Sequence, residues 1–219
     1  IVVIDLCKNI FYVFVKIMTP YTWTGLAGNT DITNPQNWCG TVINGVCQGR
    51  SLVAKADLIF NENCTNCNAK INSSLTVSSL RMTKGFTGTI EQNANLNAIT
   101  SGAARSSEDI APYGYTFMQE AGTYKINSGD FNVFGSWLNS DFINNMISLK
   151  VLGGSFVASS ANKITATPSL VISEVANFQL NDAPVYLEEA EGHFNFPFRG
   201  IDAPNINFKD LHIKTRGQA

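Results

Sequence analysis

A short phrase recurs in this chain and narrows the folds open to it: a glycine, one small or polar residue, then an aromatic, followed by alternation. It stands at Gly122 with Tyr124 and Ile126, and at Gly129 with Phe131 and Val133. It returns at Gly154 with Phe156, and at Gly192 with Phe194 and Phe196. Side chains at i and i+2 share one face of a strand. Each copy therefore reads as a turn residue leading into a short strand with one buried face, and the copies read as successive rungs of one stack. The same rhythm appears in Leu58 with Phe60, Leu75 with Val77, Leu80 with Met82, Val185 with Leu187, Ile206 with Phe208 and Leu211 with Ile213. Asn, Ser and Gly separate these pieces. No window carries an i, i+3, i+4, i+7 apolar stripe.

Composition agrees with strands. Of 219 residues, 44% are hydrophobic, enough for a sizeable core, and only 15% are charged. Glu, Lys and Arg, which stabilise surface helices, are scarce. A net charge of −2 offers no basic surplus for nucleic acid or an anionic membrane. Asp5, Lys8 and Lys16 interrupt the apolar residues of 1–20, and the longest unbroken run is 10–15. A membrane-spanning helix needs about 20 residues, so no transmembrane span is expected. Residues 1–20 read as a leader remnant or as a first capping strand. The chain starts at Ile1 and stops at Ala219 soon after a strand-like run, so a longer parent chain is expected.

Four cysteines fall in two close pairs. Cys39 and Cys47 flank Asn44-Gly45, a strong short hairpin signal, and Cys64 and Cys67 have C-x2-C spacing. In an exported protein these pairs are disulfides that staple an irregular cap. In a reducing compartment the same four thiolates would suit a structural zinc. The C-x7-C spacing of the first pair is poor for zinc, so disulfides are favoured and no metal is assigned. Cys7 is left over.

Strands this short are stabilised by stacking, each rung hydrogen-bonding to those above and below at about 4.8 Å. We expect an all-β fold: a single-stranded, right-handed parallel β-helix, or solenoid, with a disulfide-stapled N-terminal cap. It would divide into 1–20, a cysteine-containing cap at 21–68, and coils at 69–219. The glycine phrases are unequally spaced, which keeps a two-sheet β-sandwich as the alternative.

A family resemblance enters through particular residues. Tyr21, Trp23 and Gly25, then Asn37-Trp-Cys-Gly40, Cys47, the run from Asp57 to Phe60, and Cys64 with Cys67 resemble the start of large bacterial surface proteins. These are filamentous, adhesin-like exoproteins built as parallel β-helices. Gly154-Ser-Phe156 is similar to their coil strands, and the stretch from Asn207 to Ile213 is similar to a terminal phrase of theirs. The resemblance implies export to the cell surface, a passive stalk or display role and a longer parent. It implies no catalytic residue.

Chemistry-bearing residues are sparse. There are two histidines, His193 and His212, both in alternating stretches that turn them outward. Glu188, Glu189 and Glu191 form the densest acidic run, and with Asp182 and His193 they would suit a sugar or cation. A charge run at a strand turn is more ordinarily a solvated surface. Tyr113, Tyr115, Trp137 and Tyr186 would stack on sugar rings if exposed, and would plug corners or core if not. Gly153-Gly154 lacks the Lys-Ser/Thr of a phosphate loop, and no cofactor is assigned. The expected function is a structural or adhesive segment binding carbohydrate or host surfaces. The alternative is a β-helical polysaccharide lyase or glycoside hydrolase, with Arg199 or Lys209 nearest the acidic run.

Overall fold

The computed structural model describes residues 2–6, 9–13, 20–44, 46–53, 56–99, 115–134, 147–167, 170–188, 201–204 and 206–214. They form an all-β molecule whose only helix is the single 3-10 turn Pro35–Asn37. The first two strands, β1 (Val2–Leu6) and β2 (Asn9–Val13), pair antiparallel with each other in a sheet of their own. Then come β3 (Tyr21–Trp23), β4 (Trp38–Ile43), β5 (Val46–Gly49), β6 (Asp57–Phe60), β7 (Ala69–Ile71), β8 (Leu75–Val77) and β9 (Ser79–Met82). Next are β10 (Thr89–Gln92), β11 (Leu96–Ile99), β12 (Tyr115–Gln119), β13 (Thr123–Ile126), β14 (Phe131–Phe134) and β15 (Ile147–Val151). The last are β16 (Ser155–Val157), β17 (Ile164–Thr167), β18 (Leu170–Ile172), β19 (Asn177–Gln179), β20 (Val185–Glu188), β21 (Ile201–Asp202) and β22 (Leu211–Lys214).

Neighbours in the main sheets are three strands apart in sequence. One sheet runs β7, β10, β13, β16, β19; a second β8, β11, β14, β17, β20, β22; a third β3, β6, β9, β12, β15, β18, β21, extended past β3 by β4 and β5. All these pairs are parallel apart from β3 with β4 and β4 with β5. The chain visits the three sheets in turn and then starts another circuit. β22 follows β20 by only two because the last circuit has, among the described residues, no strand in the five-stranded sheet. A sandwich of antiparallel sheets does not fit this pairing. The alternating stretch Ile206 to Phe208, read from sequence as a strand, lies in no strand here.

The circuits differ in length. Asn72 and Asn93 stack 21 residues apart, and Asp57 and Ser79 22 apart, but Asn97 and Asn132 35 apart. The extra residues enter at one corner, between the six-stranded sheet and the third. There β8 reaches β9 through Ser78 alone and β17 reaches β18 through 168–169. The same step takes 100–114 from β11 to β12, 135–146 from β14 to β15, and 189–200 from β20 to β21. This explains the uneven phrases and corrects their order. Gly122 and Gly129 lead into β13 and β14, strands of one circuit in different sheets, so they are not successive rungs. Gly154, before β16, is the true successor of Gly122.

The core lies between the three sheets and is filled in register. Leu96, Phe131, Ile164 and Val185 stack along the six-stranded sheet, and Leu58, Leu80, Phe117, Leu149 and Leu170 along the third, all buried. Tyr124, Phe156 and Phe178 stack nearly parallel along the five-stranded sheet, with centroids 5.6 and 4.9 Å apart. The N-terminal end is closed by Trp23 and Trp38, both fully buried and packed edge to face at 5.1 Å. Each indole satisfies its N–H: Trp23 donates to the Asn66 carbonyl and Trp38 to the Ile32 carbonyl, both at 2.7 Å. The loop between them reaches the five-stranded sheet through a parallel bridge from Asp31 to Lys70.

Candidate functional site

The outer face of the six-stranded sheet carries the most continuous polar column. In-register parallel pairing puts Thr76, Asn97, Asn132, Thr165, Tyr186 and His212 one above another. Asn132 Nδ2 donates to Asn97 Oδ1 at 3.0 Å. At the C-terminal end, the His212 ring lies parallel to Tyr186, with centroids 4.3 Å apart, and Lys163 Nζ sits 4.4 Å from the Tyr186 centroid. β20 lies between β17 and β22, and Lys163 immediately precedes β17. The two partners therefore approach Tyr186 from opposite sides. Both faces of the ring are covered, which leaves its edge and hydroxyl for other contacts. His212 Nε2 is 2.9 Å from Asp210 Oδ1, and Lys209 Nζ is 2.7 Å from Asp182 Oδ2.

Three stacked corner loops supply these charges: 158–163 before β17, 180–184 before β20, and 206–210 before β22. Deeper at the same corner, one polar chain enters the core. Tyr124 O–H donates to Gln92 Oε1 at 2.8 Å, and Gln92 Nε2 donates to the Asp130 carbonyl at 3.0 Å. Burial pushes the Tyr124 hydroxyl well above the ordinary tyrosine pKa, because the phenolate would lose its water. Along the same edge runs an asparagine ladder. Asn93 Nδ2 donates to Asn72 Oδ1 at 2.7 Å, and Asn127 Nδ2 to Asn93 Oδ1 at 3.0 Å.

The cysteines pair as disulfides, Cys39 with Cys47 and Cys64 with Cys67, with Cα atoms 5.3 and 5.0 Å apart. Four sulfurs so bonded cannot hold zinc as thiolates. Among the described residues, no group of three or more His, Cys, Asp and Glu is placed to hold a metal ion. Nor is there among them a helix long and apolar enough to cross a membrane.

Glu189, Glu191, His193 and Tyr113, with Trp137, Arg199 and Cys7, fall outside the described residues. Tyr115 opens β12, and Glu188 closes β20, where its backbone pairs with Lys214. Of the residues singled out from sequence, Asp182, Tyr186, Lys209 and His212 come together at one end of one face. Lys163 and Asp210 complete the group. Asp210 is a sequence neighbour of Lys209 and His212, whereas only the register of neighbouring circuits puts Lys163 beside Tyr186. Comparison with protein-family models, curated proteins and solved structures finds no match for this chain.

Proposed function

We propose that the chain is a length of right-handed parallel β-helix that serves as a structural and display segment of a secreted bacterial surface protein. Its outer faces make many shallow contacts with carbohydrate or host surfaces. The observation that carries this reading is the pairing of strands three apart in three parallel sheets. Each circuit contacts mainly its neighbours, so a fold of this kind gains length and surface by adding circuits. The outer face is ordered in columns, and Asn, Thr, Tyr and His side chains recur along it at strand spacing. Two disulfides support export, since such bonds form and persist in oxidising compartments.

The test uses the whole chain on a glycan array and on intact host cells, with pectin and alginate incubated in parallel. Retention on glycans or cells with no product released is the expected result. Release of unsaturated uronide would make the chain a lyase, and absence of any retention would remove the adhesive role. A thiol count under denaturing conditions checks the compartment: one reactive thiol, from Cys7, is expected.

A further inference from the structure

Phe178 is the last ring of the Tyr124, Phe156, Phe178 stack, and β19 is the outermost strand of its sheet. In the next circuit residues 206–210 form the corner loop that stacks on 180–184, in step with the pairing of Val185 and Leu211. Between these two loops, beside Phe178, lies a cavity of about 180 Å³. Phe178 and Ile206 line it, and Asn181, Asp182, Asn207 and Lys209 form its polar part. Asn181 and Asp182 both have left-handed backbones, with φ of 47° and 68°. Asn and Asp are the non-glycine residues that best tolerate that region, so the sequence is suited to this turn. Asn181 is anchored to the circuit below through its Nδ2, which donates to the Ala158 carbonyl at 2.8 Å. Asp182 is bridged across the cavity to Lys209.

We propose that this cavity is a subsite for a single sugar residue, the terminal unit of a glycan; the proposal rests on the display reading above. The donor and acceptor set suits a polyol. A carboxylate accepts from neighbouring hydroxyls, a lysine ammonium donates to ring or hydroxyl oxygens, and the carboxamide of Asn207 does both. The volume lies below the roughly 300–1,000 Å³ of pockets for drug-sized ligands, so it admits one ring. The Asp182–Lys209 pair is more than half exposed on both sides. Such a pair contributes little by itself, so sugar hydroxyls can replace it at small cost. One shallow subsite binds weakly, and a display protein gains avidity by presenting many copies.

The test is saturation-transfer difference NMR of the whole chain with methyl glycosides of a neutral hexose, an N-acetylhexosamine and a hexuronic acid, alongside the glycan array. Two variants are compared. Asp182→Gly removes the carboxylate and relaxes the left-handed backbone, so its fold is safeguarded; Asn207→Ala removes the exposed carboxamide. We expect at least one glycoside to bind weakly, and each variant to lower its affinity about tenfold, the loss typical of a hydrogen bond to a charged or buried polar group. Array signals should fall in parallel. Glycan binding that is unchanged in both variants overturns the subsite and leaves the display reading standing. If the unmodified chain binds no glycoside and no arrayed glycan, the subsite falls; retention on host cells then decides the display reading separately.

Discussion

Gly28 and Gly154 have nearly the same backbone, with φ of 70° and 73°, and very different surroundings. A Cβ on Gly28 would meet nothing within 4 Å, whereas one on Gly154 would run into the carbonyl oxygen of Gly122 in the circuit below. Gly28→Ala should therefore cost only the left-handed conformation, about 1–2 kcal/mol. Gly154→Ala adds the collision and should cost roughly 3 kcal/mol or more. Urea unfolding of the two variants checks this, and equal losses would refute the close approach. Tyr124 makes a second case. Its raised pKa means that the folded chain holds the phenolic proton more tightly than the unfolded chain. That contribution is complete below the unfolded value near 10 and is lost as pH rises above it, by up to about 1.4 kcal/mol per pH unit. Between pH 9 and pH 11 the parent chain should lose more stability than Tyr124→Phe does, with denaturant melts as the measurement. At this scale the sequence was informative. The aromatic after each described glycine phrase, Tyr124, Phe131 and Phe156, is fully buried, because alternation alone decides which face a residue takes. The Lys163, Tyr186, His212 stack was illegible, because its members belong to three different circuits.

Elements are held by local staples and by ladders between circuits. The β4–β5 hairpin was expected from Asn44-Gly45, and Asn44 does take a left-handed φ of 51°. Its register is less regular than expected. Cys39 lies opposite Gly49, and Cys47 opposite Val42, with an irregularity between Cys39 and Thr41. The disulfide closes across this bulged pairing. Replacing both cysteines by serine should cost about 2–3 kcal/mol, by freeing a short loop in the unfolded chain. It should also speed amide exchange in β4 and β5 and leave β10 and β13 unchanged, which hydrogen-exchange mass spectrometry resolves. The asparagine ladder predicts a different loss. Asn93→Ala removes two side-chain hydrogen bonds at once and should cost about 1–2 kcal/mol, measured by chemical denaturation. A change within error would show that water replaces the ladder fully. Short strands were legible one by one. Their partners were not, since nothing in a strand of three to five residues says whether its neighbour lies 21 or 35 residues away.

Over the whole molecule, the long segments leave and rejoin at one corner, so the ladders on the three faces continue past them. Replacing 100–114 by a single serine, as between β8 and β9, should preserve the far-UV spectrum and a cooperative melt within a few degrees of the parent. Loss of cooperative melting would mean that this segment contributes to the core. The sequence by itself determined that the chain is all-β, that its strands are short with one buried face, and that its cysteines sit in two bridgeable pairs. Those properties follow from steric alternation and turn chemistry over a few residues. Only the tertiary structure decided which strands lie side by side, where the circuits lengthen, and which distant polar residues share the cavity beside Phe178. Closing a longer loop costs only slightly more entropy than closing a shorter one, so pairing distance leaves almost no local trace. Packing in the assembled core makes that choice.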